Sequence, residues 1–204
     1  MRTIDRVLLG AGLLVPFWLF FGVLITASQF PGYSHIDLAM SQLGAVGAPT
    51  HDVSPWVNNL PLGVLFVSCG MGLFRRFEGS RLAWIAALLV IVHGLASMSA
   101  GYFPCDQGCV PAEPSFSQRM HNLSGLVMFL SLTLASALWI FLGRSLLGSP
   151  GFSRLSLLCT VLALVTVGLM AAAMESGHGF GLYQRLNYGI AVIWLAVLAW
   201  MSLR

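Results

Sequence analysis

The fold is decided by residues 82–103, LAWIAALLVIVHGLASMSAGYF, which contain no Asp, Glu, Lys or Arg. A helix of about 20 apolar residues is long enough to cross the hydrocarbon core of a bilayer. Five other stretches of this kind occur along the chain, at about 7–29, 55–75, 120–146, 154–175 and 182–203. The sequence therefore predicts an all-α, polytopic membrane protein in which one domain, residues 1–204, forms a six-transmembrane-helix bundle.

The composition agrees with a chain whose main solvent is lipid. Apolar residues make up 57% of it and charged residues 8%, whereas soluble proteins carry about 25% charged residues. Lysine is absent, which excludes a lysine Schiff base with retinal or pyridoxal phosphate. The arginines are scattered over helix ends rather than gathered in one stripe, so we expect no nucleic-acid partner. The expected partner is the lipid bilayer, and the sequence does not define an oligomeric state.

The arginines also predict the orientation of the spans. Arg119 and Arg185 lie on one side of a six-span arrangement. The other side carries Arg2, Arg6, Arg75, Arg76, Arg81, Arg144, Arg154 and Arg204. Because cytoplasmic loops carry the excess of positive charge, we predict cytoplasmic N and C termini. The protein would then be a multi-pass protein of the cell (inner) membrane, with its first, third and fifth loops facing the periplasm or the exterior.

The first outward loop, at about residues 30–54, is too long to be a simple connection. Ser34 and Asp37 have the spacing of a helix capping box, with Asp in place of Glu. They predict a short interfacial or re-entrant helix over about residues 35–43, ending at Gly44. On such a helix Asp37 and Ser41 are four residues apart and face the same side. We expect that side to point into a cavity.

Cys105 and Cys109 lie in the second outward loop with three residues between them. Paired cysteines on an oxidising side of a membrane form disulfides by default, and Gly108 eases the tight turn. A redox-active or metal-binding pair is the alternative, but the chain has no second pair and no thioredoxin-like context. We therefore predict a structural disulfide between Cys105 and Cys109.

Polar and ionisable side chains are concentrated at the outward ends of the predicted spans. Such residues are costly at membrane depth, and each one indicates a candidate functional site. The outward group consists of His35, Asp37, Ser41, His51, Asp106, His121, Asn122, Ser124, Glu175, His178, Arg185 and Asn187, while His93 and Ser97 lie near the middle of the third span. A single member of the group is more often a helix cap or part of a local pair, such as Arg185 with Glu175. The group as a whole predicts a shared site.

Three kinds of chemistry fit this group. In the first, Ser41 is a nucleophile, His121 its base and Asp106 the orienting acid, although no G-x-S-x-G motif is present. In the second, a zinc-like divalent metal ion activates water, with ligands that converge from separate elements. Its candidate ligands are His35, Asp37, Asp106, His121, Glu175 and His178. In the third, His93 and either His121 or His178 bind haem, although only His93 lies deep in a span.

Three short motifs resemble a family of bacterial and archaeal membrane proteins. They are Ser41-Gln-Leu-Gly44, the segment Gly101-Tyr-Phe-Pro-Cys-Asp106 with Cys109 after it, and His121 at the start of the fourth span. In these motifs and in span number, the chain is similar to the domain-of-unknown-function family nine-nine-eight, of the Frag1-like group.

The resemblance implies that Ser41, Asp106 and His121 are the site positions. The family commonly has Ser-Glu-Leu-Gly, whereas this chain has Gln42 and lacks that acid. Relatives in the wider group are linked to the remodelling of lipid anchors, so the resemblance implies lipid chemistry.

Together these observations predict a hydrolase or transferase acting on a lipid-like substrate that enters sideways from the outer leaflet. Ser41, His121 and Asp106 are the predicted catalytic residues. The predicted substrate contacts are His35, Asp37, Glu175, His178 and Arg185, the last of which could hold a phosphate headgroup. A haem-binding electron-transfer protein and a non-catalytic transporter or accessory subunit are the alternatives.

Overall fold

A computed structural model describes residues 1–204, and the chain is all helical, without strands. The six long helices are α1 (Thr3–Ser28), α2 (Leu60–Arg76), α3 (Arg81–Tyr102), α4 (Phe116–Leu147), α5 (Pro150–Ser176) and α6 (Phe180–Leu203). Each is long and apolar enough to cross a membrane, α2 together with the π turn Pro55–Asn59 that precedes it. The prediction of six transmembrane helices is confirmed.

The six helices form a closed ring. Each helix packs against its neighbours in sequence, and α1 packs against α6. Successive helices are joined at alternate ends, so the first, third and fifth loops (residues 29–54, 103–115 and 177–179) lie together at one end. We call this the loop end; the opposite end holds both termini and the short connections at 77–80 and 148–149.

The half of the ring at the opposite end is tightly packed. Phe77 contacts Trp139, Trp139 contacts Phe152 and Phe152 contacts Trp194, with ring centroids 5.1, 5.8 and 6.4 Å apart. The indole N–H of Trp194 donates to the Ser156 hydroxyl at 3.0 Å, so the one polar group of this buried ring has a partner. These aromatic rings fill the interior, and the polar interior lies in the other half.

Small residues bring α2 and α3 into close contact. A Cβ placed on Gly63 would stand 2.7 Å from the carbonyl oxygen of Gly94, and one on Gly94 would stand 2.6 Å from that of Gly63. Nearer the loop end, a Cβ on Gly101 would stand 2.6 Å from the Cβ of Asn59. Only glycine permits this approach, which is the usual role of small residues between transmembrane helices.

The π turn at the start of α2 has a local cause. Pro61 lacks the N–H that would donate to the carbonyl of Val57 in a regular α-helix. The N–H of Leu60 donates to the carbonyl of Pro55, five residues earlier, which is the bond of a π turn. The carbonyl of Val57 accepts a hydrogen bond from the indole N–H of Trp18 on α1, at 2.8 Å. The side chain from α1 thus satisfies the carbonyl that the proline leaves free.

The first loop differs from its prediction. The turn at Ser34 forms, with the N–H of Leu38 donating to the Ser34 carbonyl at 2.9 Å. The chain is extended at Ala39, and a 3₁₀ turn follows over Met40–Gly44. The helix predicted over residues 35–43 is therefore wrong, and Asp37 and Ser41 do not share a helix face.

Hydrogen bonds to the start of α6 explain this interruption. The carbonyl of Ile36 accepts from the N–H of Leu182 at 2.8 Å. The N–H of Met40 donates to the side chain of Gln184 at 2.7 Å. In a helix, these two backbone groups would bond to each other. Contacts between distant parts of the chain have replaced the local bond.

Candidate functional site

A cavity of about 220 Å³ lies inside the ring, in the half nearer the loop end. All six helices and the 3₁₀ turn of the first loop contribute to its wall. Its polar lining includes Ser41, Asn59, His93, His121, Gln184, Asn187 and Tyr188. A concave, mostly apolar site with a few convergent polar groups is the usual form of a small-molecule site.

His121 holds its imidazole in one orientation at the cavity wall. Its Nδ1 lies 3.0 Å from the carbonyl oxygen of Ala100 and 2.9 Å from that of Phe103. Carbonyl oxygens only accept hydrogen bonds, so Nδ1 carries the proton in the neutral ring. Nε2 is then left with a free lone pair, which is the state that a general base requires.

Ser41 lies on the 3₁₀ turn of the first loop and lines the same cavity as His121. The second loop supports this turn through two bonds. The N–H of Val46 donates to the carbonyl of Cys105 at 2.9 Å, and the side-chain amide of Gln42 donates to that of Gly108, also at 2.9 Å. The side chain of Gln42 therefore acts as a donor to the backbone.

The disulfide between Cys105 and Cys109 is present, as predicted, with the two Cα atoms 5.0 Å apart. Gly108 inside the closed loop has a φ of +73°, a conformation that favours glycine. Cys105 is fully buried under the first loop. The disulfide thus stabilises the segment on which the turn with Ser41 rests.

Asp106 is not brought to His121. Its carboxylate accepts from the Ser115 hydroxyl at 2.6 Å and from the Ser115 N–H at 2.9 Å. These two bonds lower the pKa of Asp106. Ser115 is the N-cap of α4, so the carboxylate is held at the helix start by the cap itself. Of the three predicted catalytic residues, Ser41 and His121 line the cavity and Asp106 does not.

None of the predicted substrate contacts lines the cavity. Two of them, Arg185 and Asp37, connect the first loop to the start of α6 instead. Arg185 donates to the carbonyls of Leu38 at 3.1 Å and Gly181 at 2.8 Å, and to the hydroxyl of Tyr33 at 2.6 Å. The pair expected between Arg185 and Glu175 is not formed: the guanidinium is bound to Leu38, Gly181 and Tyr33, and Glu175 is exposed. Burial raises the pKa of Tyr33 against the opposing effect of the nearby Arg185 charge.

Asp37 forms the second connection between the first loop and α6. Its carboxylate accepts from the N–H of Gly179 at 3.0 Å and from the hydroxyl of Ser34 at 2.9 Å. It also lies 2.6 Å from Nδ1 of His178. The hydrogen bond from Gly179 has the largest effect and that from Ser34 the next largest, and both hold the pKa of Asp37 below its ordinary value. On the same loop, partial burial and the Arg185 charge lower the pKa of the exposed His35.

His93 lies at the deep end of the cavity and uses both ring nitrogens. Nδ1 is 2.9 Å from the carbonyl oxygen of Met128, and Nε2 is 3.1 Å from the hydroxyl of Tyr188. The ring of Phe66 packs on it at 4.2 Å. Binding of haem by His93 would need a ring nitrogen that is free to bind iron. In this structure Nδ1 is bound to the Met128 carbonyl and Nε2 to the Tyr188 hydroxyl. His178, one of its two proposed partners, is at the surface with Asp37.

The candidate ligands for a zinc-like ion do not converge. No group of three or more His, Cys, Asp or Glu side chains is placed to hold a metal ion. His178 is paired with Asp37, Asp106 is bound to Ser115, and His121 is at the cavity wall. Apart from the Asp37–His178 pair, the proposed ligands are not brought together.

Three neutral amides of the lining, Asn58, Asn59 and Gln184, are absent from the group that the sequence analysis identified. Asn58 and Asn59 follow each other in the π turn, and Gln184 lies one turn into α6. Mainly ionisable residues were selected from the sequence, although any polar side chain inside a predicted span indicates a buried partner or a site. The adjacent asparagines at the start of the second span were the available signal.

The ring and its cavity define a multi-pass α-helical membrane protein with a polar site inside the bundle. The chain belongs to the family described as "Protein of unknown function (DUF998)", whose model matches residues 13–201. This confirms the resemblance seen in the three sequence motifs. No curated protein and no solved structure gives a significant match to the chain.

Proposed function

We propose that this protein is a membrane-embedded hydrolase or transferase that acts on a lipid-like substrate in the central cavity. The loop end would face the periplasm or the exterior, as the arginine distribution favours. The observation that carries the proposal is that Ser41 and His121 line one cavity, with Nε2 of His121 free of protein partners. A hydroxyl nucleophile and an oriented neutral imidazole are the two groups that acyl transfer needs most.

In this proposal His121 is the base and Ser41 the nucleophile. Nε2 takes the proton of the Ser41 hydroxyl as the oxygen bonds to an acyl carbon, and the imidazolium then gives that proton to the leaving oxygen. The carbonyls of Ala100 and Phe103 orient the ring and accept the Nδ1 proton. Asp106 becomes a positioning residue that fixes the start of α4 through Ser115.

The substrate would enter sideways between α4 and α5. Gly125 on α4 lines the cavity and is exposed. A Cβ placed there would meet no heavy atom within 4 Å. Val167 and Met170 of α5 line the same side. An acyl chain could then remain among lipid tails while its head reaches Ser41.

The packed half of the ring favours a one-sided site over a transport path. Below His93, the interior is filled by the rings of Trp139, Phe152 and Trp194. A transported molecule would have to displace these buried rings, whereas a substrate bound from the loop end would not.

The proposal is tested in nanodiscs that contain lipids with isotope-labelled acyl chains, with released or transferred chains measured by mass spectrometry. Ser41→Ala and His121→Ala should each reduce turnover by at least about 100-fold, because each removes a reacting group. Asp106→Asn should reduce it by less than about tenfold, because it acts through helix position. Ser145→Ala, at the opposite end, is the control. Equal turnover in all four variants would contradict the proposal.

A further inference from the structure

We infer that the substrate's head is uncharged and donates hydrogen bonds, as the hydroxyls of an acylglycerol or a long-chain alcohol do. This inference rests on the proposed function, since it names the class of molecule that the cavity takes. It depends on two properties of the wall: its charge and the direction of its hydrogen bonds.

The wall of the cavity is neutral. Its polar side chains are amides, hydroxyls and imidazoles, without Asp, Glu or Arg. The charged residues of the loop end lie outside the cavity. Three of them are bound elsewhere: Arg185 by the Leu38 carbonyl, Asp37 by Gly179 and Asp106 by Ser115. A charged head would therefore enter a low-dielectric site without a counter-ion, which is strongly unfavourable.

Two of the four amides of the wall, Asn187 and Asn59, present acceptors, whereas Gln184 uses its oxygen for the Met40 N–H. Asn187 donates both amide hydrogens, to the Ala163 carbonyl at 2.9 Å and the Thr166 hydroxyl at 2.8 Å. Asn59 donates to the Ser97 carbonyl at 3.3 Å. Because those carbonyls only accept, the position of each NH₂ group is fixed. The Oδ1 atoms of Asn187 and Asn59 are left without a protein donor.

The aromatic lining residues present acceptors as well. Nδ1 of His93 must donate to the Met128 carbonyl, so its Nε2 accepts the hydroxyl hydrogen of Tyr188. The oxygen of Tyr188 keeps its free lone pairs, and Nε2 of His121 keeps its own. The oxygens of a phosphate are themselves acceptors, so they cannot donate to these acceptors of the wall. A quaternary ammonium has no N–H or O–H group and cannot donate to them either. A hydroxyl-bearing head complements the wall.

The test compares three probes with the same sixteen-carbon chain by native mass spectrometry of the full chain. They are 1-palmitoylglycerol, 1-palmitoyl lysophosphatidic acid and hexadecyltrimethylammonium. We expect the glycerol ester to bind at least about tenfold more tightly than either charged probe. Gly125→Leu should abolish this binding, because the new side chain fills the cavity from a position that is free of clashes. Gly168→Leu is the matched control: its Cβ is equally unobstructed, but the residue does not line the cavity.

Gln184→Glu gives a second readout that does not depend on loss of binding. The substitution keeps the shape of the side chain and the oxygen that accepts the Met40 N–H. It adds a carboxylate to the wall, so the ammonium probe should gain at least about tenfold in affinity. Equal or tighter binding of the lysophosphatidic acid to the unmodified protein would overturn the inference.

The inference and the proposed function fail separately. Selective binding of the glycerol ester without any turnover would retain the inference and remove the catalytic proposal. Turnover of anionic phospholipids that depends on Ser41 and His121 would retain the catalytic proposal and overturn the inference.

Discussion

At the scale of single residues, the Asp37 carboxylate gives a pH-dependent contribution to stability. Bonds from Gly179 and Ser34 lower its pKa below the ordinary 3.8. The carboxylate therefore stabilises the fold at pH values above 3.8, and this contribution is lost as the pH falls through the lowered pKa. Asp37→Asn should lower Tm at neutral pH by no more than about 2–4 °C, because the group is solvent-screened. The Tm difference from the unmodified protein should vanish as the pH falls through that lowered pKa.

The control for this prediction is Asp52→Asn, in the same loop, where the exposed carboxylate makes no bond to the protein. Its Tm should follow that of the unmodified protein at every pH. A constant Tm difference for Asp37→Asn from neutral to acidic pH would show that its charge does not hold the loop.

Single-residue roles were harder to predict than residue positions. The sequence indicated where Ser41, His121 and Asp106 would be relative to the bundle end, and two of them line the cavity. It did not indicate that Ser115 would bind the Asp106 carboxylate or that the Leu38 carbonyl of the first loop would bind Arg185. Those bonds depend on which segments meet in space, and spacing along the chain does not contain that information.

At the scale of elements, the π turn at the start of α2 determines how the adjacent asparagines face the cavity. Pro61→Ala supplies the missing N–H, so residues 55–61 can form regular α-helical bonds and Asn58 and Asn59 rotate away. We expect binding of 1-palmitoylglycerol to fall by at least about tenfold, since the Asn59 acceptor leaves the wall. Binding is measured by native mass spectrometry.

The matched control is Pro16→Ala, which also changes a proline inside a transmembrane helix but away from the cavity wall. It should bind the glycerol ester as the unmodified protein does. If Pro61→Ala binds equally well, the π turn has no part in presenting Asn59.

The helices followed from the sequence because hydropathy and caps are local. The predicted spans 82–103 and 182–203 differ by at most two residues from α3 and α6, whereas the spans 7–29, 120–146 and 154–175 begin four residues later than α1, α4 and α5. The prediction of a short helix in the first loop was wrong because two of its backbone groups bond to Leu182 and Gln184, which are far away in the sequence. Local patterns therefore predict elements well until tertiary contacts compete for the same backbone groups.

At the scale of the whole molecule, hydropathy predicted six spans but not that they close into a ring. Closure depends on α1 packing against α6, and on bulky residues filling one half of the interior while small and polar residues line the other. The polar groups that marked one end of the bundle were a correct guide to the half that holds the cavity. The size and neutrality of that cavity required the structure.

The orientation of the ring in the membrane is the last prediction, and it follows from charge. Eight of the ten arginines lie at the ends opposite the loop end, so this side should be cytoplasmic. Glu78→Cys, in the connection after α2, should react with a membrane-impermeant maleimide only after the cells are permeabilised. Glu113→Cys, in the second loop, should react in intact cells. The native cysteines give little background, because Cys69 and Cys159 are buried and the other two form the disulfide. The reverse labelling pattern would place Ser41 and His121 on the cytoplasmic side and exclude a substrate from the outer leaflet.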